Sequence, residues 1–488
     1  MRRWARRRRD SAAATRTRVF RSLHVPNYRL WFAGNAVSVI GTWMQRVAQD
    51  WLVLELTDSA VAVGIAVSLQ FLPILLLGPW GGLLVDRLDR RRVVVFSQAT
   101  SAVLATVLAV LTIAGVIDVR MVYALALGLG LVTVLDVPAR HTFITELVGP
   151  DDFVNAQSLN STIHNMGRLV GPALAGGLIA TVGVGWAFAI NAVSFVAVLI
   201  SLTRIDVSQL RKAEVLPRAR GQVKEGMSYV WRHPELRACM VLVAAVALFG
   251  QNFRVVLPLL ARDSLGGGAE VYGYLTSAMG AGAVMGALFS AARERVTAWS
   301  MLLWAGIFSG VNVLLAGVPG LELALLLLVG LGIANITFNT LARTLLQLNT
   351  EPTMQGRVIS LHAMVFLGST PIGAPLLGWI CETWGPRAGL LVSGLAPAIA
   401  ALVVLPELRR LRKIREQDER DERQAAQDRT TQEHRPTPAD TPSRRHGVRA
   451  DEVEVEVVDE TPDRTAPLRR PADHSPARTG DSDDPPKV

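Results

Sequence analysis

The sequence predicts an all-α integral membrane protein with twelve transmembrane helices in two pseudo-symmetric six-helix bundles. Three observations predict this fold class. Residues from about 30 to 406 fall into twelve long apolar runs, and a bilayer requires about 20 apolar residues per helix. Arginines are distributed unequally between the two sets of connections that separate these runs. Sequence motifs of the first half also recur about 200 residues later.

The apolar runs divide the chain into five regions. We expect a basic N-terminal arm at 1–28, a first bundle at 29–203, a linker at 204–236, a second bundle at 237–407 and a disordered tail at 408–488. The tail is predicted to be disordered because it is charged and rich in proline, with few residues that could form a core. The expected spans are 30–56, 61–84, 93–117, 121–143, 156–181, 184–203, 237–261, 271–292, 298–318, 321–347, 356–381 and 386–406.

The arginine distribution orients these spans. Cytoplasmic connections carry an excess of Lys and Arg. With the N-terminus in the cytoplasm, the predicted outer connections carry only Arg120, Arg262 and Arg387. An even number of spans then places both termini in the cytoplasm. This topology explains the net charge of +9 without nucleic-acid binding, and the expected large partner is the lipid bilayer.

The two halves of the chain resemble each other. The stretch 136–140, which begins with Asp136 and ends with Arg140, returns at 339–343, ending with Arg343. The glycine-bounded stretch 171–176 returns at 373–378 with nearly the same offset. We interpret this as a parallel repeat of about six helices.

A short charged hairpin separates the second and third apolar runs, 61–84 and 93–117. Because charged side chains are costly in hydrocarbon, it must lie at the membrane surface. It contains Gly82, Asp86, Arg87, Arg91 and Arg92. This spacing resembles the signature loop G-x-x-x-D-R-x-G-x-R-R of major facilitator superfamily transporters, with Asp89 in place of the second glycine.

That resemblance implies a gating role for the hairpin. In the superfamily, the loop packs against the other half and sets the equilibrium between outward-open and inward-open states. A carboxylate such as Asp86 can bind a helix N-terminus or an arginine in one state and release it in the other. The alternative is that Asp86 only neutralises the neighbouring arginines.

The fifth span contains Gly167, Gly171, Pro172 and Gly176. Small residues allow helices to approach closely, and a proline bends a helix. The pattern also resembles the antiporter motif of the superfamily, G-x-x-x-G-P-x-x-G-G, with Ala175 in place of one glycine. The resemblance implies export more than uptake.

Ionisable residues inside spans are candidate functional residues. Three pairs have i,i+4 spacing: Arg46 with Asp50, Asp136 with Arg140, and His164 with Arg168. Arg140 and its repeat mate Arg343 lie near the cytoplasmic ends of their spans and are interpreted as structural anchors for the inner loops.

Asp50 and Arg254 are separated by the repeat offset and therefore occupy equivalent places in the first and seventh spans. These two spans face each other across the cavity in the superfamily. We hypothesise that the two residues close the extracellular side as an ion pair, which protonation of Asp50 would weaken. The alternative is that Asp50 pairs with Arg46 and that Arg254 stands alone in a hydrated vestibule.

The fourth span differs from that of many proton-coupled members of the superfamily. Many drug–proton antiporters carry an arginine midway along the fourth helix, whereas the run 121–134 has no charged residue here. If protons are used, the candidate acceptors are Asp50, Asp136 and His164.

Four phrases, at 41–45, 51–57, 155–161 and 191–195, resemble a bacterial branch of the superfamily that includes enterobactin exporters and macrolide efflux proteins. The resemblance covers about 20–407. It implies secondary-active export of small amphiphilic molecules from the bacterial inner membrane, by proton antiport with alternating access. We also expect a monomer without a cofactor. The alternatives are an uptake symporter of the same fold, and a membrane scaffold or lipid scramblase whose tail binds a partner.

The motifs of other classes are absent from the sequence. It has no phosphate-binding G-x-x-x-x-G-K-[ST] loop and no metal-ligand spacing of His, Cys and Asp. Cys239 and Cys381 both fall in apolar runs and are interpreted as packed small residues. We therefore expect neither an enzyme nor a metal site.

Overall fold

A computed structural model of the chain describes residues 20–211, 222–292 and 296–433. These residues form twelve long helical segments and contain no strand. A separate linker helix, Gln222–Arg232, precedes the seventh segment. The twelve segments are α1 (Pro26–Thr57), α2 (Ala60–Arg87), α3 (Arg90–Ile113), α4 (Val119–Val148), α5 (Pro150–Val182), α6 (Val184–Thr203), α7 (Pro234–Ser264), α8 (Ala269–Ala291), α9 (Ala298–Ala316), α10 (Leu321–Leu348), α11 (Gln355–Trp384) and α12 (Pro386–Glu433).

Ten of these twelve segments are long and apolar enough to cross a membrane. The other two, α1 and α5, have 32 and 33 residues, which exceeds the length that a bilayer requires. They carry the intramembrane charges Arg46, Asp50 and Arg168, which lower their apolar content. The prediction of an all-α membrane protein is confirmed.

Two of the segments are interrupted. In α7, π-helical turns at Val246–Gly250 and Leu260–Ser264 flank a short α-helix, Phe253–Leu259. In α11, the helix Gln355–Gly368 ends at Ser369 and Thr370–Trp384 follows. Irregular backbone at membrane depth is tolerated where it is buried in protein or lines a cavity. The first interruption in α7 ends shortly before Arg254.

The first six helices and the last six form separate packing groups. In the first group α1 packs on α5 and α6, α2 on α4, and α3 on α6. In the second group α10 packs on α8 and α9. The two groups meet along two helix pairs, α5 with α8 and α2 with α11.

These two meeting lines are related by the sequence repeat. A Cβ on Gly176 of α5 would lie 2.9 Å from the carbonyl oxygen of Ala269, at the start of α8. A Cβ on the repeat mate Gly378 of α11 would lie 2.6 Å from the carbonyl oxygen of Ala60, at the start of α2. Real Cβ atoms do not approach so closely, so both crossings require glycine. The repeat therefore builds the same close crossing twice.

The contacts between the groups lie toward one side of the membrane. We call the side that carries the α1–α2 turn, at Asp58, the Asp58 side, and the side that carries 204–211 and 222–233 the linker side. On α2, the contacts with α11 run from Ala60, through a 2.7 Å hydrogen bond from Ser68 Oγ to the carbonyl of Pro371, to Leu75. Leu83 and Leu84, nearer the linker side, are exposed. The groups are thus packed together on the Asp58 side.

Three expected boundaries are corrected. The charged hairpin is shorter than the sequence indicated: α2 continues through Arg87 and α3 begins at Arg90. The first helix begins at Pro26, inside the expected arm. The tail is not disordered from 408, because α12 continues to Glu433.

The extension of α12 has a local physical reason. Residues after 408 are polar, but most are Arg, Glu, Gln and Ala, which are good helix formers. Arg412 also donates a 2.6 Å hydrogen bond to Glu416 at i,i+4 spacing, a pairing that supports isolated helices. The remainder of the expected tail, 434–488, and residues 1–19 of the arm lie outside the described residues.

Candidate functional site

The two halves are joined deep in the molecule by an ion pair between α1 and α7. Arg254 donates from Nε to Asp50 Oδ2 at 2.8 Å and from Nη2 to Asp50 Oδ1 at 2.7 Å. The Asp50 side chain is 0% exposed and that of Arg254 is 20% exposed. A bidentate arginine–carboxylate pair of this kind is stronger and more specific than a single contact.

Two further side chains complete the pair. Gln70 of α2 accepts a 2.7 Å hydrogen bond from Arg254 Nη1. The hydroxyl of Tyr272, on α8, donates to Asp50 Oδ2 at 3.1 Å. Each charge is therefore held by side chains of the opposite half: Asp50 by α7 and α8, and Arg254 by α1 and α2.

Arg46 does not form the local pair with Asp50 that was the alternative. Its guanidinium lies 4.7 Å from the centre of the Trp43 ring, whereas Asp50 accepts from Arg254 and Tyr272. The geometry therefore places the repeat-related residues together, as the hypothesis about Asp50 and Arg254 requires.

Exposed contacts close the Asp58 side above this pair. Arg262 of α7 reaches Asp58 Oδ1 at 2.7 Å and Asp263 at 2.8 Å. Glu382 of α11 accepts hydrogen bonds from Ser59 Oγ at 2.6 Å and from the backbone N–H of Val61 at 2.9 Å. It thereby caps the first turn of α2 in the other half, where the helix dipole favours an anion.

A cavity of about 510 Å³ lies on the linker side of the ion pair. Residues of α1 to α6 line it, from Arg46, one turn from Asp50, to Trp31 and Ile144 near the linker-side helix ends. Its wall combines four aromatic side chains, Trp31, Trp43, Phe71 and Phe195, with many polar and charged ones. Such a wall can bind both the apolar body and the polar groups of a small molecule. The cavity thus reaches from the ion pair to the linker side.

A polar network crosses the wall of this cavity. Asp136 lies 2.7 Å from Arg140 Nε and accepts a 2.9 Å hydrogen bond from Gln98. Arg140 also donates to Asn35 at 2.8 Å, and Asn35 donates to Asn160 at 3.1 Å. Arg140 therefore links α4 to α1 directly, and to α5 through Asn35.

The remaining candidates in the bundle lie near this network. His164 lines the cavity, and its Nδ1 lies 3.0 Å from the carbonyl of Asn160. Arg168, one turn later on α5, lies 5.8 Å from the Trp43 ring. Arg343 is exposed near the linker-side end of α10.

The charged hairpin lies on the linker side, with half-buried Gly82 and Asp86 in the last turns of α2. Arg91 donates a 2.7 Å hydrogen bond to the carbonyl of Leu202, at the end of α6. Asp89, which stands where the superfamily signature has glycine, caps α3. Its side chain accepts a 2.8 Å hydrogen bond from the backbone N–H of Arg92. Arg87 and Arg92 are exposed.

A buried ion pair that sequence reasoning missed anchors the same hairpin. Arg90 and Glu146 of α4 are 9% and 10% exposed and form a salt bridge. The pair joins the start of α3 to the end of α4. Its sequence signal was an acidic residue near the end of an apolar run, but nothing in the sequence named its partner 56 positions away.

The antiporter-like motif contacts two helices. Gly167 and Gly171 face α1, where an added Cβ would lie 2.9 Å from Trp43 Cδ1 and 2.6 Å from Trp43 Cβ, respectively. Gly176 faces α8. A Cβ added to Gly273 of α8 would lie 2.6 Å from the carbonyl oxygen of Pro172. The motif therefore seats Trp43 on one side and the second half on the other.

Comparison with known proteins identifies the family. A model of the family described as "Transmembrane secretion effector", within the major facilitator superfamily, matches residues 12–436. The chain belongs to this family. Its members are membrane transporters and not enzymes, which confirms the resemblance given by the signature loop.

Two relatives are similar over most of their length. The multidrug efflux pump Tap of Mycolicibacterium fortuitum is 28% identical over 384 residues, which cover 76% of this chain and 92% of Tap. The enterobactin exporter EntS of Salmonella paratyphi A is 28% identical over 400 residues, which cover 78% of this chain and 92% of EntS. This family member is thus similar to both drug and siderophore exporters.

The fold of this transporter also matches solved structures. A bacterial homologue of the iron transporter ferroportin, in an inward-facing state, superimposes with a TM-score of 0.61 at 16% sequence identity. The match covers 78% of this chain and 98% of that structure. The predicted twelve-helix architecture in two halves is confirmed.

Proposed function

We propose that this transporter is a secondary-active exporter of small amphiphilic molecules that works by alternating access and proton antiport. The observation that carries the proposal is the buried Asp50–Arg254 pair. It joins the two halves on the Asp58 side of a cavity that reaches the linker side. In this state a substrate can enter from one side of the membrane only.

Alternating access follows if the two halves rock about their crossings. Moving the halves apart on the Asp58 side requires breaking the Asp50–Arg254 pair and the Glu382 cap on α2, because both contacts span the halves. The Arg90–Glu146 salt bridge and the Arg91–Leu202 hydrogen bond both join helices of the first half. The first half can therefore move as a rigid unit.

Proton coupling is assigned to Asp50. Opening the Asp58 side brings water to a carboxylate that is fully buried in this state. A proton that binds Asp50 there removes the charge that attracts Arg254, so the pair cannot re-form until the proton leaves. Release of this proton into the cavity on the linker side, as the halves close, lets the pair re-form, so that one proton crosses the membrane opposite to the substrate in each cycle.

The direction and the orientation come from the charge distribution. Arg120, Arg262 and Arg387 lie at helix ends on the Asp58 side, whereas the hairpin and the linker carry the larger set of Arg and Lys. By the positive-inside rule the linker side is cytoplasmic, as are both termini. The cavity then loads from the cytoplasm of a bacterial cell, which supports export, and both halves of the path lie in one chain, which supports a monomer.

Flux in proteoliposomes with an imposed pH gradient tests the proposal. We expect the wild type to accumulate at least one of ethidium, erythromycin or enterobactin against its gradient when protons flow the opposite way. Asp50→Asn should abolish this accumulation but retain exchange of the same compound at equal concentrations. Asp58→Asn, an exposed acid of the same side, is the control and should keep both activities.

Three outcomes would contradict the proposal. Accumulation with the proton flow, rather than against it, indicates an uptake symporter. Unchanged coupling in Asp50→Asn removes Asp50 as the proton acceptor. A chain that transports none of these compounds, and whose membrane activity is lost on deletion of 434–488, is a scaffold that depends on its tail.

A further inference from the structure

We infer that the cavity selects amphiphiles that carry an oxyanion, and that Arg46 and Arg168 bind this oxyanion beside Trp43. The inference rests on the proposed function and specifies its substrate class. The substrate would carry a carboxylate, sulfonate or phosphate group on an aromatic or aliphatic body.

The site is built around Trp43. Its ring lies against Gly167 and its Cβ against Gly171 of α5, and both glycines leave room that a side chain would fill. The guanidinium groups of Arg46 and Arg168 lie 4.7 and 5.8 Å from the ring centre. Cation–π contact of this kind holds a guanidinium by its face, so the N–H groups at its edge stay available for a bidentate oxyanion.

In the part of the chain that the structure describes, no salt bridge or hydrogen bond joins an acid to Arg46 or Arg168. Asp50 is held by both donor edges of Arg254 and by Tyr272. Asp136 is held by Arg140 and Gln98. Within the described residues, Arg168 Nε is buried and has no hydrogen-bond partner.

An uncompensated charge at this depth calls for a partner. Burying a charged group without one costs far more than burying a paired one, and intramembrane charges accordingly mark substrate paths. Arg46 lines the cavity, as do His164 and Asn165 one turn before Arg168. A bound oxyanion would satisfy both guanidinium groups at once.

An exposed arginine lies on the approach from the linker side. Arg140 on the cavity wall is paired with Asp136, whereas Arg343 is exposed near the end of α10. A positive charge beside a cleft attracts anions and speeds their entry. Trp31, Phe71 and Phe195 supply the apolar wall for the substrate body. The same field opposes cationic amphiphiles.

The test compares one anionic and one cationic aromatic probe. The protein in lipid nanodiscs is titrated into 6-carboxyfluorescein or ethidium, and binding is followed by fluorescence anisotropy. Flux of both dyes is measured in proteoliposomes. We expect the wild type to bind and transport 6-carboxyfluorescein in preference to ethidium.

Variants identify the binding groups. Arg46→Gln and Arg168→Gln should each weaken 6-carboxyfluorescein binding by about ten-fold, the loss expected for one charge-assisted contact. The same variants should leave ethidium binding unchanged or strengthen it. Arg46→Lys should restore part of the affinity. Arg120→Gln, which removes an exposed arginine outside the cavity, is the matched control and should bind both dyes as the wild type does.

The failure of this inference differs from the failure of the proposed function. If ethidium is bound and transported as well as 6-carboxyfluorescein, and the glutamine variants keep that ratio, the oxyanion site is refuted while export stands. If neither dye is transported but 6-carboxyfluorescein binds and loses affinity in the variants, the site stands and the exporter proposal fails for this probe. If neither dye binds, the inference is overturned.

Discussion

The substitution Asp50→Asn tests the ion pair that closes the Asp58 side. Asparagine keeps the shape of the side chain and can still accept one hydrogen bond, but it removes the negative charge. In the present state this change leaves Arg254 facing a neutral amide in a site where the acid is fully buried. In a state open on the Asp58 side, water would solvate Arg254. The substitution therefore penalises the closed state selectively.

The size of the shift toward the open state follows from the burial of the Asp50–Arg254 pair. Removing one partner of a buried ion pair costs about 3–5 kcal/mol. Even about 3 kcal/mol would shift the equilibrium toward the open state by about 150-fold, at about 1.36 kcal/mol per tenfold. The Asp58–Arg262 pair has the same 2.7 Å separation, but Asp58 is 85% exposed. An exposed pair contributes about 0.2–1 kcal/mol, so Asp58→Asn should change the equilibrium by less than about five-fold.

Thiol accessibility measures this shift. Thr276 lies one turn from Tyr272 on α8 and is 7% exposed. In a Thr276→Cys background, labelling by a membrane-impermeant thiosulfonate from the Asp58 side should accelerate strongly with Asp50→Asn and little with Asp58→Asn. The native Cys239 and Cys381 are buried, and the parent chain that keeps Thr276 corrects for their reaction.

The double variant Asp50→Asn with Arg254→Gln tests whether the unpaired charge of Arg254 causes this shift. It removes both charges, so its labelling rate should fall back toward that of the Thr276→Cys background alone, because the unpaired cation is gone. Equal acceleration by Asp50→Asn and Asp58→Asn would refute the reasoning from burial. An unchanged rate in Asp50→Asn would show that the pair does not hold the closed state together.

Two further predictions concern packing. Gly273→Ala should impair closure on the Asp58 side and reduce flux several-fold, because its Cβ would lie 2.6 Å from the carbonyl of Pro172. Gly177→Ala is the control, because a Cβ there meets nothing within 4 Å. Equal flux in the two variants would contradict the requirement for glycine where α5 and α8 cross. Glu146→Gln should lower stability by about 3–5 kcal/mol, because it breaks a buried pair with Arg90. Thermal unfolding in detergent measures this loss of stability. The control is Glu416→Gln, which removes an exposed i,i+4 pair on α12 and should lower stability by under about 1 kcal/mol. A similar loss in both variants would show that the Arg90–Glu146 pair does not anchor the hairpin.

The sequence predicted the helices well, because apolar length and charge placement are local properties. It also brought Asp50 and Arg254 together, since the repeat offset relates residues that are 204 positions apart. It did not predict that Tyr272 and Gln70 complete the pair. Both lie in helices whose facing surfaces depend on how the two halves cross, and no local pattern encodes that crossing.

Two other features show where local reasoning fails. The i,i+4 spacing of Arg46 and Asp50 permits a local pair, yet the carboxylate bonds Arg254 across the halves. A bidentate contact with a second helix satisfies Asp50 better than a neighbour on the same helix surface, and Trp43 offers Arg46 an alternative. The extension of α12 to Glu433 was missed because apolar content, rather than helix propensity, set the expected boundary.

The central claim, that the two halves rock about their crossings, is tested most directly by pairs of spin labels on both sides of the membrane. Exposed positions Val182 and Leu323 report the Asp58 side, and exposed positions Leu88 and Leu348 report the linker side. On introducing Asp50→Asn, we expect the Asp58-side distance to lengthen and the linker-side distance to shorten in the same molecules. A change confined to one side, or a lengthening of both distances, would contradict rocking and the transport cycle built on it.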